Sequence, residues 1–196
     1  AIVNADDPRS ISPSGFATAD PTSGAKAKYW PVHLYGGTLL ALNNPYEYLN
    51  DGTAPTSGGS ININAEQIYY FSSSGAADRG AAVAFFDHLD LFAYDSISIT
   101  GDSASNGLDQ HGGNHGIVIY STTTDIRSFN SSVSLTGYAN GYQTSGHFTA
   151  NYIGAGVVIH TDDNTIRAKT DLNITGVNLA GVGVYLRQGG SNDGLR

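Results

Sequence analysis

The sequence predicts an all-β protein, a right-handed parallel β-helix built as a three-sided solenoid with loop insertions at one corner. Three observations carry that expectation. The composition favours strands and turns, one strand pattern returns at a nearly fixed period, and two further patterns return inside the same period.

Only 13% of the residues are charged, whereas 40% are apolar; a soluble domain usually has about a quarter charged. Gly, Ser, Thr, Asn and Asp fill the gap. Ser, Asn and Asp compete for backbone hydrogen bonds and Gly is entropically costly, so the mixture suits strands and tight turns and disfavours helices. No run combines the length and the 3.6-residue apolar spacing of an amphipathic helix. At 196 residues the chain fits one domain able to bury a real core.

Four segments establish the period: Ser60-Ile-Asn-Ile-Asn-Ala65, Ser96-Ile-Ser-Ile-Thr-Gly101, Ser132-Val-Ser-Leu-Thr-Gly137 and Asp171-Leu-Asn-Ile-Thr-Gly176. Their first apolar residues, Ile61, Ile97, Val133 and Leu172, are spaced by 36, 36 and 39 residues. Each segment alternates two inward apolar side chains with polar neighbours, which is the period of a strand. A Gly closes three of the four, as expected of a corner with unusual backbone angles. Stacking such strands about 4.8 Å apart closes the hydrogen-bond ladders and puts equivalent apolar residues in one buried file. The outward files then read Asn62, Ser98, Ser134, Asn173 and Asn64, Thr100, Thr136, Thr175, polar ladders whose side chains can bond along the stack.

A second strand recurs as Gly116-Ile-Val-Ile-Tyr120, Gly156-Val-Val-Ile-His160 and Gly183-Val-Tyr-Leu-Arg187, with Gly80-Ala-Ala-Val-Ala84 as a looser relative. A third recurs as Leu91-Phe-Ala93, Ile126-Arg-Ser128 and Ile166-Arg-Ala168. Three strands per period are what a three-sided coil requires. A sandwich would need hairpin turns at short regular spacing instead. Insertions between the first and second strands, Asp102–His115 and Tyr138–Ala155, map to one side of the solenoid. Residues 60–196 therefore read as the repeating coils of one continuous domain, and 1–59 as an irregular N-terminal segment and first coil. There, Val32-His-Leu34, Leu39–Leu42 and Tyr46–Leu49 form one irregular coil, and residues 1–28 a loop or covering segment.

A net charge of −8 with nine Lys and Arg excludes the cationic footprint that nucleic acid demands, and its simplest meaning is solubility. There is no Cys, hence no disulfide and no thiolate metal site. No apolar stretch suffices for a transmembrane helix, so no membrane insertion is expected. The absence of Met, even at position 1, suggests a segment processed or cut from a longer chain.

Ser132-Val-Ser-Leu-Thr-Gly137 and Asp171-Leu-Asn-Ile-Thr-Gly176, the latter followed by Gly183-Val-Tyr-Leu186, resemble the repeats of filamentous-haemagglutinin-type exoproteins over the C-terminal two thirds of the chain. These are the β-helical passengers of two-partner secretion, among them adhesins and contact-dependent inhibition sticks. The resemblance implies export to the bacterial cell surface and an internal stalk segment, because the Asn-Pro secretion motifs of the export domain are not evident in 1–59. It implies as partner a glycan or protein of a host or neighbouring cell.

Candidate chemistry sits in the insertions. Tyr138, Tyr142, His147, Phe148 and Tyr152 place aromatics in a Gly/Ser/Asn loop, where they can stack on sugars or anchor a protein. The preferred alternative is that they cover Val118, Val158 and Tyr185, the outward apolar file of the second strand. His111 and His115, with Asp109 and Asp102 near them, have the residue types of a metal site, but they flank a Gly-Gly loop, and incidental polar chemistry is the simpler account. No cofactor is expected. Asp162-Asp163-Asn164 reads as a turn closed by its own side chains rather than as a calcium loop. Arg127 and Arg167 should share an outward file, with Asp125 offsetting their repulsion.

β-Helical lyases and glycosidases need carboxylates together on a strand face. Here the acids read as scattered through turns, so an adhesive stalk is preferred to a polysaccharide-cleaving enzyme. A self-assembling filament is a third reading, since open solenoid ends expose strand edges.

Overall fold

Alternation of apolar and polar residues decides which way each strand faces, and parallel pairing then repeats that decision from strand to strand. The computed structural model describes residues 10–18, 31–69, 81–105, 115–139, 154–178 and 181–188. The strands are β1 (Ser14–Thr18), β2 (Val32–Ala41), β3 (Ile61–Tyr69), β4 (Ala81–Ala93), β5 (Ile97–Ser105), β6 (His115–Ser128), β7 (Val133–Ala139), β8 (Ala155–Arg167), β9 (Leu172–Asn178) and β10 (Val182–Gln188), with one short helix, α1 (Pro45–Asp51). They form two five-stranded sheets, β1-β3-β5-β7-β9 and β10-β8-β6-β4-β2, and every pairing in both is parallel. The chain alternates between the sheets, so each strand lies beside the one two strands earlier.

The register is the one the repeat predicts. Ile61, Ile97, Val133 and Leu172 pair in sequence, as do Asn62, Ser98, Ser134 and Asn173. Equivalent backbone bonds recur at each step: Ile61 N–H to Ser96 O at 3.0 Å, Ile97 N–H to Ser132 O at 3.0 Å, and Val133 N–H to Asp171 O at 2.9 Å. One side-chain rung joins Ser60 Oγ to Ser96 Oγ at 3.1 Å. The inward residues of both sheets make one core, including Ile63, Ile99, Leu135, Phe85, Ile117, Ile159, Leu91 and Ile126. Burying each such side chain is worth about 1.5–3 kcal/mol. Where the pairing ends the core opens: Val133 is 0% exposed, Leu172 in the last pair 44%.

Several expectations need correction. The second and third strands are continuous: β4, β6 and β8 each contain both, and the pairing of β2 with β4 and of β4 with β6 slips midway, an irregularity at which a strand bends. Gly36 and Asp87 take left-handed backbone angles at the bends, φ 66° and 64°, a region that Gly enters freely and Asp tolerates. The glycines closing the first strands have another reason to be glycine. Gly101, Gly137 and Gly176 are not among the positive-φ residues; they lie where the backbones of the two sheets touch. A Cβ on Gly116 would stand 2.6 Å from Gly101 O and 2.7 Å from Gly137 Cα; one on Gly156 would stand 2.5 Å from Gly137 O. The seam is a close approach, not a sharp corner.

Asp162–Asn164 is strand, inside β8, rather than a separate turn. Within residues 1–28, Ser14–Thr18 joins a sheet through β3. Tyr46–Leu49 belongs to helix α1, where Pro45 starts the helix with its fixed φ and Gly52 ends it at φ 75°. Residues 106–114 and 140–153, within the expected insertions, lie outside the described residues. The helix lies in the connection from β2 to β3. It carries Tyr48 onto the outer side of the sheet, against Phe92 (5.1 Å between ring centroids) and Phe129 (5.2 Å). That contact buries Leu40, Leu42 and Phe92 in a second, smaller core.

Candidate functional site

Parallel pairing turns each outward position into a file, and the files differ sharply in chemistry. On the β3-β5-β7-β9 surface two files are short and polar, as expected, and a third reads Glu66, Asp102, Tyr138 and Val177. Beyond the bend of β2, β4, β6 and β8, one outward file reads Thr38, Asp90, Asp125, Thr165 and the next Leu40, Phe92, Arg127, Arg167. Asp90 and Asp125 are direct partners, so their side chains leave the backbone about 5 Å apart on one face. That corrects the expectation that the acids scatter through turns.

His88, at the bend of β4, ties the patch together. Its Nε2 lies 3.0 Å from Asp90 Oδ2, and its Nδ1 meets Thr123 Oγ1 on β6. Burial holds the Asp125 carboxyl above the usual carboxylate range; Arg167 and Arg127 pull it back down, and Asp90 adds to the rise. Asp125 Oδ1 is buried without a hydrogen-bond partner among the described residues. Burial likewise raises the Tyr48 hydroxyl, against the opposing charge and hydrogen bond of Arg127. The Arg127 guanidinium also lies over the Phe129 ring, 4.4 Å from its centroid. As anticipated, Arg127 pairs with Arg167, and Asp125 lies beside both. Two carboxyls paired on one strand face, one of them raised by burial, are among the elements of general acid–base chemistry.

On the other side of the bend the outward file is aromatic over four strands: Tyr35, Phe86, Tyr120 and His160 are successive partners, and Arg187 on β10 pairs next with His160. Tyr120 and His160 meet edge to face at 4.7 Å, and Phe86 and Tyr120 are tilted at 6.3 Å.

Of the residues expected from the sequence, Tyr138 is on β7, exposed, between Asp102 on β5 and Val177 on β9. His115 opens β6, and its Nδ1 accepts the Ala155 N–H at 3.1 Å, a bond from one repeat to the next. Tyr142, His147, Phe148, Tyr152, His111 and Asp109 lie outside the described residues. Among the described residues, no group of three or more His, Asp or Glu could hold a metal ion. Val118, Val158 and Tyr185 do share an outward, half-buried file.

Both new files left a trace in the sequence. Asp90 and Asp125 each stand immediately before an aligned triplet, at Leu91 and Ile126. Tyr120 and His160 close the second-strand pattern. Phe86 was hidden by a slip of two residues: Val83 pairs with Ile117 and Phe86 with Tyr120, so Ala82-Val-Ala-Phe-Phe86 is the relative of Gly116–Tyr120, not Gly80–Ala84.

No family model, curated protein or solved structure matches this chain. Function therefore rests on the faces themselves. No helix among the described residues is long and apolar enough to cross a membrane.

Proposed function

We propose that the chain is a rigid stalk segment of an extracellular bacterial surface adhesin of the filamentous-haemagglutinin type, exported by two-partner secretion. In this reading the alternating sheets wind as a right-handed, three-sided β-helix, the hand that parallel crossovers almost always take. The observation that carries it is the unbroken register of Ile61, Ile97, Val133 and Leu172 beside its polar outward files. A stack of that kind resists bending and leaves insertions and outward files to make contact. The partner is a glycan or protein of another cell surface. Beads coated with the protein should attach to cultured epithelial or bacterial cells above albumin-coated beads, and deletion of 140–153, which spares β7 and β8, should report how much the segment between them contributes. Attachment no better than albumin removes the adhesive part of the reading. A crystal structure with left-handed winding removes the architectural part.

A second reading is a polysaccharide-cleaving β-helix enzyme, favoured by the pairing of Asp90 with Asp125. Their backbone spacing is of the same order as the roughly 5 Å between carboxyls in retaining glycosidases. In that role Asp125 would donate the proton and Asp90, held by His88, would be the second carboxyl. New reducing ends or unsaturated products from xylan, polygalacturonate or alginate, lost in Asp125→Asn, would favour it over the stalk. An inert wild-type protein on all three would dismiss it for those substrates.

A further inference from the structure

Three side chains at the bend make a relay of hydroxyl, imidazole and carboxyl: Thr123 on β6, with His88 and Asp90 on β4. His88 Nδ1 meets Thr123 Oγ1, and His88 Nε2 lies 3.0 Å from Asp90 Oδ2. One tautomer satisfies both contacts. With its proton on Nε2 the imidazole donates to Asp90, and the Nδ1 lone pair accepts the Thr123 hydroxyl. The three meet because the pairing slips here. Phe86 pairs with Tyr120 and Leu89 with Thr124, so Asp87 and His88 stand opposite Ser121, Thr122 and Thr123. Asp87 takes its left-handed angle at this step, φ 64°. Irregularities of this kind re-aim side chains and recur beside active sites. Exposure is graded across the relay, 57% at the His88 side chain and 17% at Asp90. The carboxyl is sheltered, and the imidazole is open to an incoming molecule.

We infer that Thr123, His88 and Asp90 form a nucleophilic triad that hydrolyses acyl esters carried on a surface polymer. Thr123 Oγ1 loses its proton to His88 Nδ1 and bonds to the ester carbonyl carbon. The bond from that carbon to the alcohol oxygen then breaks, and the alcohol leaves with the proton from Nδ1. Water repeats both steps on the acyl-threonine, which frees the carboxylic acid and restores the hydroxyl. Thr123 and His88 are the catalytic residues, and Asp90 is a positioning residue that fixes the tautomer. The relay lies on the outer face of a sheet, so it reaches an ester that projects from a large molecule. Asp87 and Asp90 flank His88 on β4, while Arg127 and Arg167 stand one file further on, next to the file of Asp125. A neutral acyl group such as acetyl therefore suits the site better than an acidic one. This activity is independent of the adhesin reading, and unlike the second reading it leaves glycosidic bonds intact.

The test is p-nitrophenol release from p-nitrophenyl acetate by the whole chain, with acid quench and peptide mapping to locate the acyl group. Circular dichroism shows each variant folded. Wild type is at least about a hundredfold faster than Thr123→Val and carries the acetyl group on Thr123. Thr123→Ser, which keeps a hydroxyl, retains turnover, and His88→Ala loses it. Asp90→Asn lowers kcat with KM little changed, a split that general damage to the fold would not give. Ser98→Ala, on the other sheet, hydrolyses as wild type. Acetate release from acetylated xylan follows the same order. Wild type no faster than Thr123→Val overturns the triad. Activity kept in Thr123→Val but lost in His88→Ala also overturns it, by making the imidazole itself the nucleophile. Turnover of the small ester with no acetate released from the xylan overturns the polymer as substrate.

Discussion

The two sheets share one core but carry unlike outer surfaces. On β3-β5-β7-β9 two of the outward files are Asn, Ser and Thr, short side chains that repeat with little change from strand to strand, and a third, Glu66, Asp102, Tyr138 and Val177, changes at each step. On β2-β4-β6-β8 the outward files hold Tyr35, Phe86 and Tyr120 before the bend, and Asp90, Asp125, Arg127 and Arg167 after it. Stacking asks only that inward residues be apolar and of similar size. Nothing in the core requires large or charged side chains on the outside, and among its described side chains the first sheet confines them to the file of Glu66, Asp102, Tyr138 and Val177. The difference teaches that outward chemistry beyond what stacking demands is concentrated on the second sheet.

The hardest test of that contrast is at the seam that both sheets need. In Gly156→Val the new side chain would collide with Gly137 O and Gly176 Cα, backbone atoms that no rotamer change avoids. We expect a loss of about 4 kcal/mol or more, or no folded protein at all, read by denaturant unfolding. Loss below about 1 kcal/mol would show that the sheets can part there.

Next in size is the difference between inside and outside on the plain sheet. Ile97→Ala, in a fully buried position, should cost about 2–5 kcal/mol, whereas its outward neighbour Ser98→Ala should stay within about 0.5 kcal/mol. Leu172→Ala, at the open end of the same file, should cost clearly less than Ile97→Ala. Equal costs for the last two would mean that something covers the end of the stack.

The smallest effect concerns the charged patch. Burial raises the pKa of Asp125 in the folded protein, so the fold keeps that proton at pH values where the unfolded chain has released it. Its contribution is complete below the unfolded carboxylate value, about 3.9, and is lost as pH rises through the folded value. Asp125→Asn removes that loss, and its melting temperature should gain on wild type between about pH 4 and pH 7. A difference that does not change with pH would show that Arg127 and Arg167 fully offset the burial.

Much of the fold was legible because a strand's two-residue period is local. Ile61, Asn62 and their counterparts announce inward and outward without reference to anything distant, and identical spacing brings them into register. The glycines were legible as special but not for the right reason: Gly101 and Gly137 serve a contact between two sheets, which no local pattern states. Helix α1 was missed because seven residues are too few to display a helical period; Tyr48 is held by Phe92 and Phe129 rather than by its own propensity. At the site, Asp90 and Asp125 looked unrelated at 35 positions apart, and a two-residue slip in the loosest repeat concealed Phe86.

The sequence by itself determined the strand content, the buried files and their register, since each follows from alternation and period along the chain. Tertiary structure alone decided that the second and third strands run on through a bend, that glycines sit at a backbone seam, and that rings and carboxyls line up on one sheet. Those are matters of lateral distance, which the winding of the chain fixes and local chemistry does not.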